Sequence, residues 1–247
     1  MKARNIHPSQ RRAEGAPLPK PIDAATVLIV NREGPEPAVL MGHRSARHKF
    51  MPNTFVFPGG RVDPDDHTPP TACDLSAETM HRLRRRRRVS FRRARALALA
   101  AIRETFEETG LILGEPLADL DLAVDLDALA PDWRPFFEAG YAPTPSALDY
   151  IFRAVTPPDN FRRFDARFFI VDAAVAKGEI AGSGELIDLQ WIPIPDAMHM
   201  PRTPSPTRGA LETALALVRD GKPLPQPFDE PVPALITRYG REAIEYD

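Results

Sequence analysis

The eight residues RETFEETG, positions 103–110, constrain this chain more than any other stretch. On a wheel of about 100° per residue, Ala98, Leu99, Ile102, Phe106 and Thr109 share one face. Glu104, Glu107 and Glu108 lie on the opposite side, within an arc of about 100°. Their i+3 and i+4 spacings make the three carboxylates neighbours. The pattern predicts a helix over 94–109, capped by Gly110. The apolar side anchors it, and the acidic side looks at whatever lies across.

A bare helix end is a poor place for these charges. The C-terminus is the negative end of the helix dipole, where each carboxylate costs roughly 0.3–1 kcal/mol. Each like-charged pair at i+3 or i+4 adds roughly 0.2–0.5 kcal/mol. A divalent cation reverses the sign of all these effects. Clustered carboxylate oxygens suit Mg²⁺ or Mn²⁺, with water and substrate phosphate completing the shell. The ordinary alternative is a solvated acidic face with Arg103 paired to one glutamate. The helix taken alone does not separate the two.

The rest of the chain predicts α+β architecture, an α/β/α sandwich with a mixed sheet. Strands are expected at 24–30 (AATVLIV), 38–44, 54–57, 150–157, 166–173 and 187–194, a further short strand at 110–114, and an amphipathic helix at 206–220. Residues 1–20 read as a loose arm, 21–220 as one domain, and 221–247 as a Pro-rich tail. With 247 residues and 43% hydrophobic content, one large domain with its own core is expected. The net charge of −2 gives no global pull toward nucleic acid or membrane. The single cysteine, Cys73, excludes an internal disulfide and fits a reducing compartment. The apolar run at 24–30 is too short for a membrane span and lacks the flanks of a signal peptide. A soluble, cytoplasmic protein is expected.

The helix does not stand alone. FVFPGG, residues 55–60, ends a strand in two glycines, which permit a tight turn or a close backbone approach. Together with Arg103-Glu104, Glu107-Glu108 and Gly110-Leu111, it resembles the Nudix box of the Nudix hydrolase superfamily. Every fixed position of the second half matches except the first aliphatic one, which is Thr105. The first half departs, because 42 residues separate Gly60 from Arg103. Counting forward from Gly60 puts Asp66 in the place of the first glutamate; counting back from Arg103 puts Arg95 there. Neither is assigned. An insertion inside the box (about 66–94), together with the stretches 50–66 and 161–169, resembles the branch related to peroxisomal coenzyme A diphosphatases. A second, helical insertion is expected at about 117–148, around Trp133 and Phe136.

The resemblance implies a Nudix diphosphohydrolase that attacks a pyrophosphate bond with water, in a small nucleoside diphosphate derivative such as coenzyme A or acyl-coenzyme A. It implies Glu104, Glu107 and Glu108 as metal ligands, with the carbonyl of Gly59 added. Catalytic roles fall to Arg103, which orients the glutamates, and to Glu104 and Glu108, with Glu104 also the base in some family members. Arg44 and Glu185 are candidate substrate contacts, each with an ordinary surface role as the alternative. His48 shares that reading with Arg44.

One feature stands outside the box: nine arginines in residues 81–95. They read as a contact for an anionic substrate, as a nucleic-acid contact, or as a solvated or partner-facing helix. Only Phe91 interleaves them, so nucleic acid is not the expected partner. A non-catalytic Nudix-scaffold module and an RNA-interacting protein are the competing readings. A homodimer is allowed for but not required.

Overall fold

The computed structural model describes residues 17–44, 54–85, 89–182, 184–222, 224–238 and 241–247. His48, the middle of the arginine run and most of the N-terminal arm lie outside them.

The chain opens with β1 (Ile22–Asn31) and β2 (Ala38–Arg44), then β3 (Thr54–Val56) and β4 (Gly59–Arg61). α1 (Ala77–Arg84) and α2 (Phe91–Thr109) follow. β5 (Gly114–Pro116), α3 (Arg134–Glu138) and β6 (Tyr141–Pro143) form a small outlying unit. The chain returns to the main sheet through β7 (Asp149–Val155), β8 (Phe164–Asp172) and β9 (Leu186–Pro193). It ends with α4 (Ile194–His199), α5 (Ser205–Arg219), β10 (Pro233–Arg238) and β11 (Arg241–Tyr246).

The main sheet runs β11-β10-β7-β8-β1-β2-β3, with β4 on β1 and β9 on β2. It is mixed, as expected: β1 runs parallel to β8 and β10 parallel to β7, while the other pairs are antiparallel. β1 explains the layering. Ala25, Val27 and Ile29 belong to the core shared with α2, and Leu28 and Val30 to the core shared with α5. A strand covered on both faces needs a continuous apolar run, which AATVLIV supplies. The result is an α/β/α sandwich.

α2 begins three residues earlier than the periodicity indicates. Ser90 caps it by accepting from the Arg93 amide at 3.2 Å, a start signal hidden inside the arginine run. Gly110 ends it at φ 74°, donating to the Phe106 carbonyl at 2.9 Å. Its surroundings also differ from the wheel's simple picture. Leu97 and Ala100 share the wheel angles of the glutamates, yet both are fully buried. The helix is therefore enclosed on both sides, and its acidic end faces protein rather than open solvent.

Of the six described arginines in the run, five bond within the chain. Arg82 is buried and bonds Asp149 and the Tyr150 carbonyl of β7. Arg93 forms a two-pronged pair with Asp23 of β1 at 2.5 Å. Arg95 bonds Asp74, Thr71 and the Pro69 carbonyl. Arg84 and Arg85 donate to the carbonyls of Val89 and Asp229. Arg92 is exposed.

Two further differences from the sequence reading have local causes. The expected strand at 110–114 is only a single bridge, Ile112 to Lys177, because Leu111, Ile112 and Leu113 all turn into the core. The Pro-rich tail supplies β10 and β11. β10 alternates inward Ala234 and Ile236 with more exposed neighbours, a short period-two signal that the surrounding prolines obscured.

The segment 117–148 folds as short turns around α3. Trp133, Phe136 and Phe137 are buried there, and Phe136 meets Phe106 of α2 edge-on at 5.3 Å. The Trp133 side chain alone covers about 150–250 Å² of surface, so this segment is fastened to α2 by apolar burial.

Candidate active site

Two glycines make room for the acidic end of α2. β4 pairs with β1, Gly59 opposite Thr26 and Gly60 opposite Ala25. The Pro58 carbonyl is pinned by the Val27 amide at 3.0 Å and the Thr26 hydroxyl at 2.5 Å. Gly59 has φ 151°, and a Cβ there would run into the backbone of β1. A Cβ on Gly60 would overlap the Glu104 carboxylate. The turn thus leaves one side-chain volume empty, and Glu104 fills it.

Glu108 reaches the same turn. Its Oε2 accepts from the Gly59 amide at 2.8 Å, and its Oε1 lies 3.9 Å from Arg44 Nη2 on β2. Thr105, the residue outside the family pattern, is fully buried and returns its hydroxyl to the Ala101 carbonyl at 2.8 Å. That bond makes a polar side chain tolerable at an aliphatic position.

Arg103 joins the cluster together. Its Nε donates to Asp66 Oδ1 at 2.8 Å, and Nη2 donates to Asp66 Oδ2 at 3.1 Å and the Arg61 carbonyl at 3.2 Å. Nη1 donates to Glu104 at 3.0 Å and Glu107 at 3.1 Å. A guanidinium has five N–H donors, and all five are used. Asp66 is equally saturated. Besides Arg103, it accepts from the Asp63 amide at 2.8 Å and the Trp133 indole at 3.1 Å, and it is fully buried. Asp66 is the residue reached by counting from Gly60; the two-pronged bond to Arg103 could not be read from spacing. Trp133 is a core aromatic, and its indole bond to Asp66 had no sequence signal.

The electrostatics are lopsided. Burial pushes Glu104 up to about 7, with Arg103 pulling it down and Glu107 pushing it further up. Burial pushes Glu108 up to about 8; the Gly59 amide and Arg44 oppose this, while Glu104 and Glu185 add to it. Glu107 is raised for the same first reason, burial. Burial works against the charge on Arg103, but Asp66, Glu104 and Glu107 outweigh it and raise its pKa. Glu185 is itself exposed, in the loop before β9, yet its charge is felt by both Glu104 and Glu108.

Among the described residues, no three acidic, His or Cys side chains converge as a ready-made metal cage. The reason is visible: Arg103 holds Glu104 and Glu107, and the Gly59 amide holds Glu108. The donor set nevertheless fits a hard divalent cation. It is all oxygen, it runs from buried Glu108 to half-exposed Glu107, and its negative charge exceeds what Arg103 and Arg44 neutralise. Two cavities, of about 220 Å³ beside Trp133 and about 390 Å³ between His43 and Arg202, are lined by other residues and do not border the glutamates.

No protein-family model and no curated protein matches the sequence, but solved structures do. A Nudix hydrolase from Alicyclobacillus acidocaldarius aligns at a TM-score of 0.56 and 26% identity, over 80% of this chain and 92% of that one. Two others align more loosely. One is a MutT Nudix hydrolase from Burkholderia pseudomallei, at TM-score 0.43 and 18% identity over 79% and 98% of the two chains. The other is a C. elegans Ap4A hydrolase, at TM-score 0.42 and 13% identity over 81% and 98%. With its mixed sheet between helical layers and its likeness to the Alicyclobacillus enzyme, the chain has the fold of the Nudix hydrolases, and that likeness supports the Nudix superfamily.

Proposed function

We propose that this protein is a Nudix diphosphohydrolase that cleaves a pyrophosphate bond in a nucleoside diphosphate-linked compound. The observation that carries the reading is the seating of Glu104 and Glu108 on the Gly59–Gly60 turn, with Arg103 locking Glu104 and Glu107 beside them.

Glu104, Glu107, Glu108 and the Gly59 carbonyl would hold Mg²⁺ or Mn²⁺. When bound, such an ion neutralises phosphate oxygens and acidifies water. Arg103 fixes the positions of the carboxylates and, with every donor occupied, does not itself reach the substrate. Arg44 Nη2 lies 3.9 Å from Glu108, and its Nε is buried without a hydrogen-bond partner among the described residues; it is suited to a substrate phosphate. Exposed Glu185, whose charge raises both Glu104 and Glu108, is the candidate for a further acidic contact to substrate.

Coenzyme A or acyl-coenzyme A is the substrate class favoured by the sequence resemblance at 50–66 and 161–169. In the second of these stretches, Asp165 and Arg167 are committed to a structural ion-pair network, so the preference rests on similarity of pattern. The arginine run argues against the RNA reading, since five of its six described members bond within the chain.

A hydrolysis screen with Mg²⁺ and with Mn²⁺ tests the proposal. It should include coenzyme A, acyl-coenzyme A, ADP-ribose, NADH, dinucleoside polyphosphates and nucleoside triphosphates. Metal-dependent release from at least one, lost in Glu107→Gln and Glu108→Gln with folding kept, is the expected outcome. Activity that survives both substitutions would sink the assignment.

A further inference from the structure

We propose that Trp133 is a positioning residue for the acidic cluster, acting through Asp66 from a segment outside the helix that carries the glutamates. The proposal rests on the metal-binding reading above.

Trp133 is fully buried and immediately precedes α3, in the segment between β5 and β6. Its indole N–H donates to Asp66 Oδ1 at 3.1 Å. The same oxygen accepts from Arg103 Nε at 2.8 Å, and Nη1 of that guanidinium holds Glu104 and Glu107. A continuous chain of hydrogen bonds therefore runs from the indole, through one carboxylate and one guanidinium, to two proposed metal ligands.

The stoichiometry makes this more than proximity. Asp66 accepts four bonds, the usual capacity of a carboxylate, and Trp133 supplies the one that comes from outside the turn and α2. Asp66 is fully buried, so a lost donor leaves Oδ1 short of one hydrogen bond. Without the indole, Oδ1 would be satisfied by Arg103 alone. The guanidinium would then be drawn toward Asp66 and away from Glu104 and Glu107. Its planar fork cannot adjust one edge without turning the other. The buried indole has Phe136 at 5.7 Å and Phe137 at 6.4 Å from its ring.

The test compares two substitutions in the full chain. Trp133→Phe keeps an aromatic ring and removes the donor. Phe136→Leu disturbs the same packing and leaves the donor. Mn²⁺ affinity, measured by calorimetry without substrate, is expected to fall about 5-fold in Trp133→Phe, below the roughly 10–100-fold seen when a direct partner of a metal ligand is lost. Phe136→Leu is expected to lower the melting temperature with Mn²⁺ affinity unchanged. Equal Mn²⁺ affinity in Trp133→Phe and wild type overturns the proposal, as does an equal loss in both variants. Absence of binding in the wild type overturns the metal reading itself, and the proposal with it.

A second measurement needs no change at position 133. The chain has two tryptophans, so Trp191→Phe assigns the two indole N–H resonances of ¹⁵N-labelled protein. The Trp133 resonance is expected to shift as Mg²⁺ is added and to saturate with the calorimetric affinity. A resonance unmoved at saturating Mg²⁺ refutes the coupling.

Discussion

Two clusters of arginine and carboxylate among the described residues differ in their charge balance. At the proposed site, Arg103, Arg44 and Arg61 face Asp63, Asp66, Glu104, Glu107 and Glu108, three cations against five anions. At the other end of α2, Arg93, Arg153 and Arg167 meet Asp23, Asp165 and Asp247, three against three. The consequences are opposite. Burial alone would raise Asp165, but Arg153 and Arg167 more than offset it and hold its pKa below the ordinary value. Glu104 and Glu108 are instead lifted to about 7 and about 8. Burial is common to both clusters; only the first is left with uncompensated negative charge. The balanced cluster is a structural fastening, and the unbalanced one has the excess negative charge that the proposed cation site requires.

The comparison can be broken most directly at Glu108. Glu108→Gln should lower kcat/KM by about 10³-fold or more, equivalent to about 4 kcal/mol of transition-state stabilisation. A steady-state assay on whichever substrate the screen yields would check it. In the balanced cluster, Arg153→Met should have the reverse profile. It removes one cation from Asp165 and Asp247, and should destabilise the fold by about 3 kcal/mol, leaving Mn²⁺ affinity per folded molecule unchanged. Urea denaturation and calorimetry together would show whether the two clusters are separable.

Cation binding should distinguish them next. At Mg²⁺ about 100-fold above its Kd, stabilisation should be about 2.7 kcal/mol, or about 5–10 °C for a chain of this size. The effect should shrink at pH 5.5, where protons hold Glu104 and Glu108. Without the cation the pH dependence has a definite sign. Both groups have folded-state pKa values above their ordinary 4.5, so from there to about pH 8 the folded chain holds more protons than the unfolded one. Their contribution to stability therefore falls as pH rises through that window. The smallest expected effect belongs to the same substitution as the largest. Glu108→Gln should raise metal-free stability at pH 8 by about 1 kcal/mol, by removing a strained charge. A flat stability difference between pH 5.5 and pH 8 in wild type and variant alike would remove the proposed imbalance.

Much of the proposed site was legible because it is local. Glu104, Glu107 and Glu108 lie on one turn of helix, and i+3 and i+4 spacing fixes their relation whatever the tertiary structure. Gly59 and Gly60 were legible as a turn, though not as a seat for Glu104, which depends on β4 packing against α2. What spacing could not supply were the partners at a distance. Asp66 was within reach of a count from Gly60, but the alternative count to Arg95 was equally available until the structure bonded Asp66 to Arg103. Arg95 instead serves the 69–74 loop. The fold follows the same division. Strands with long apolar runs, such as β1, were clear, whereas β10 and β11 were hidden among prolines, and the Ser90 cap among arginines.

Gly60 carries a practical implication. Substituting a glutamate at this site changes position, charge and ligand number together. Alanine at position 60 would add one methyl group where the Glu104 carboxylate now rests, and a flexible side chain can yield where backbone would not. Such a protein would keep its full complement of charges and its surface while Glu104 was displaced. It would be a sterically silenced twin, suited to holding an intact substrate long enough for it to be identified.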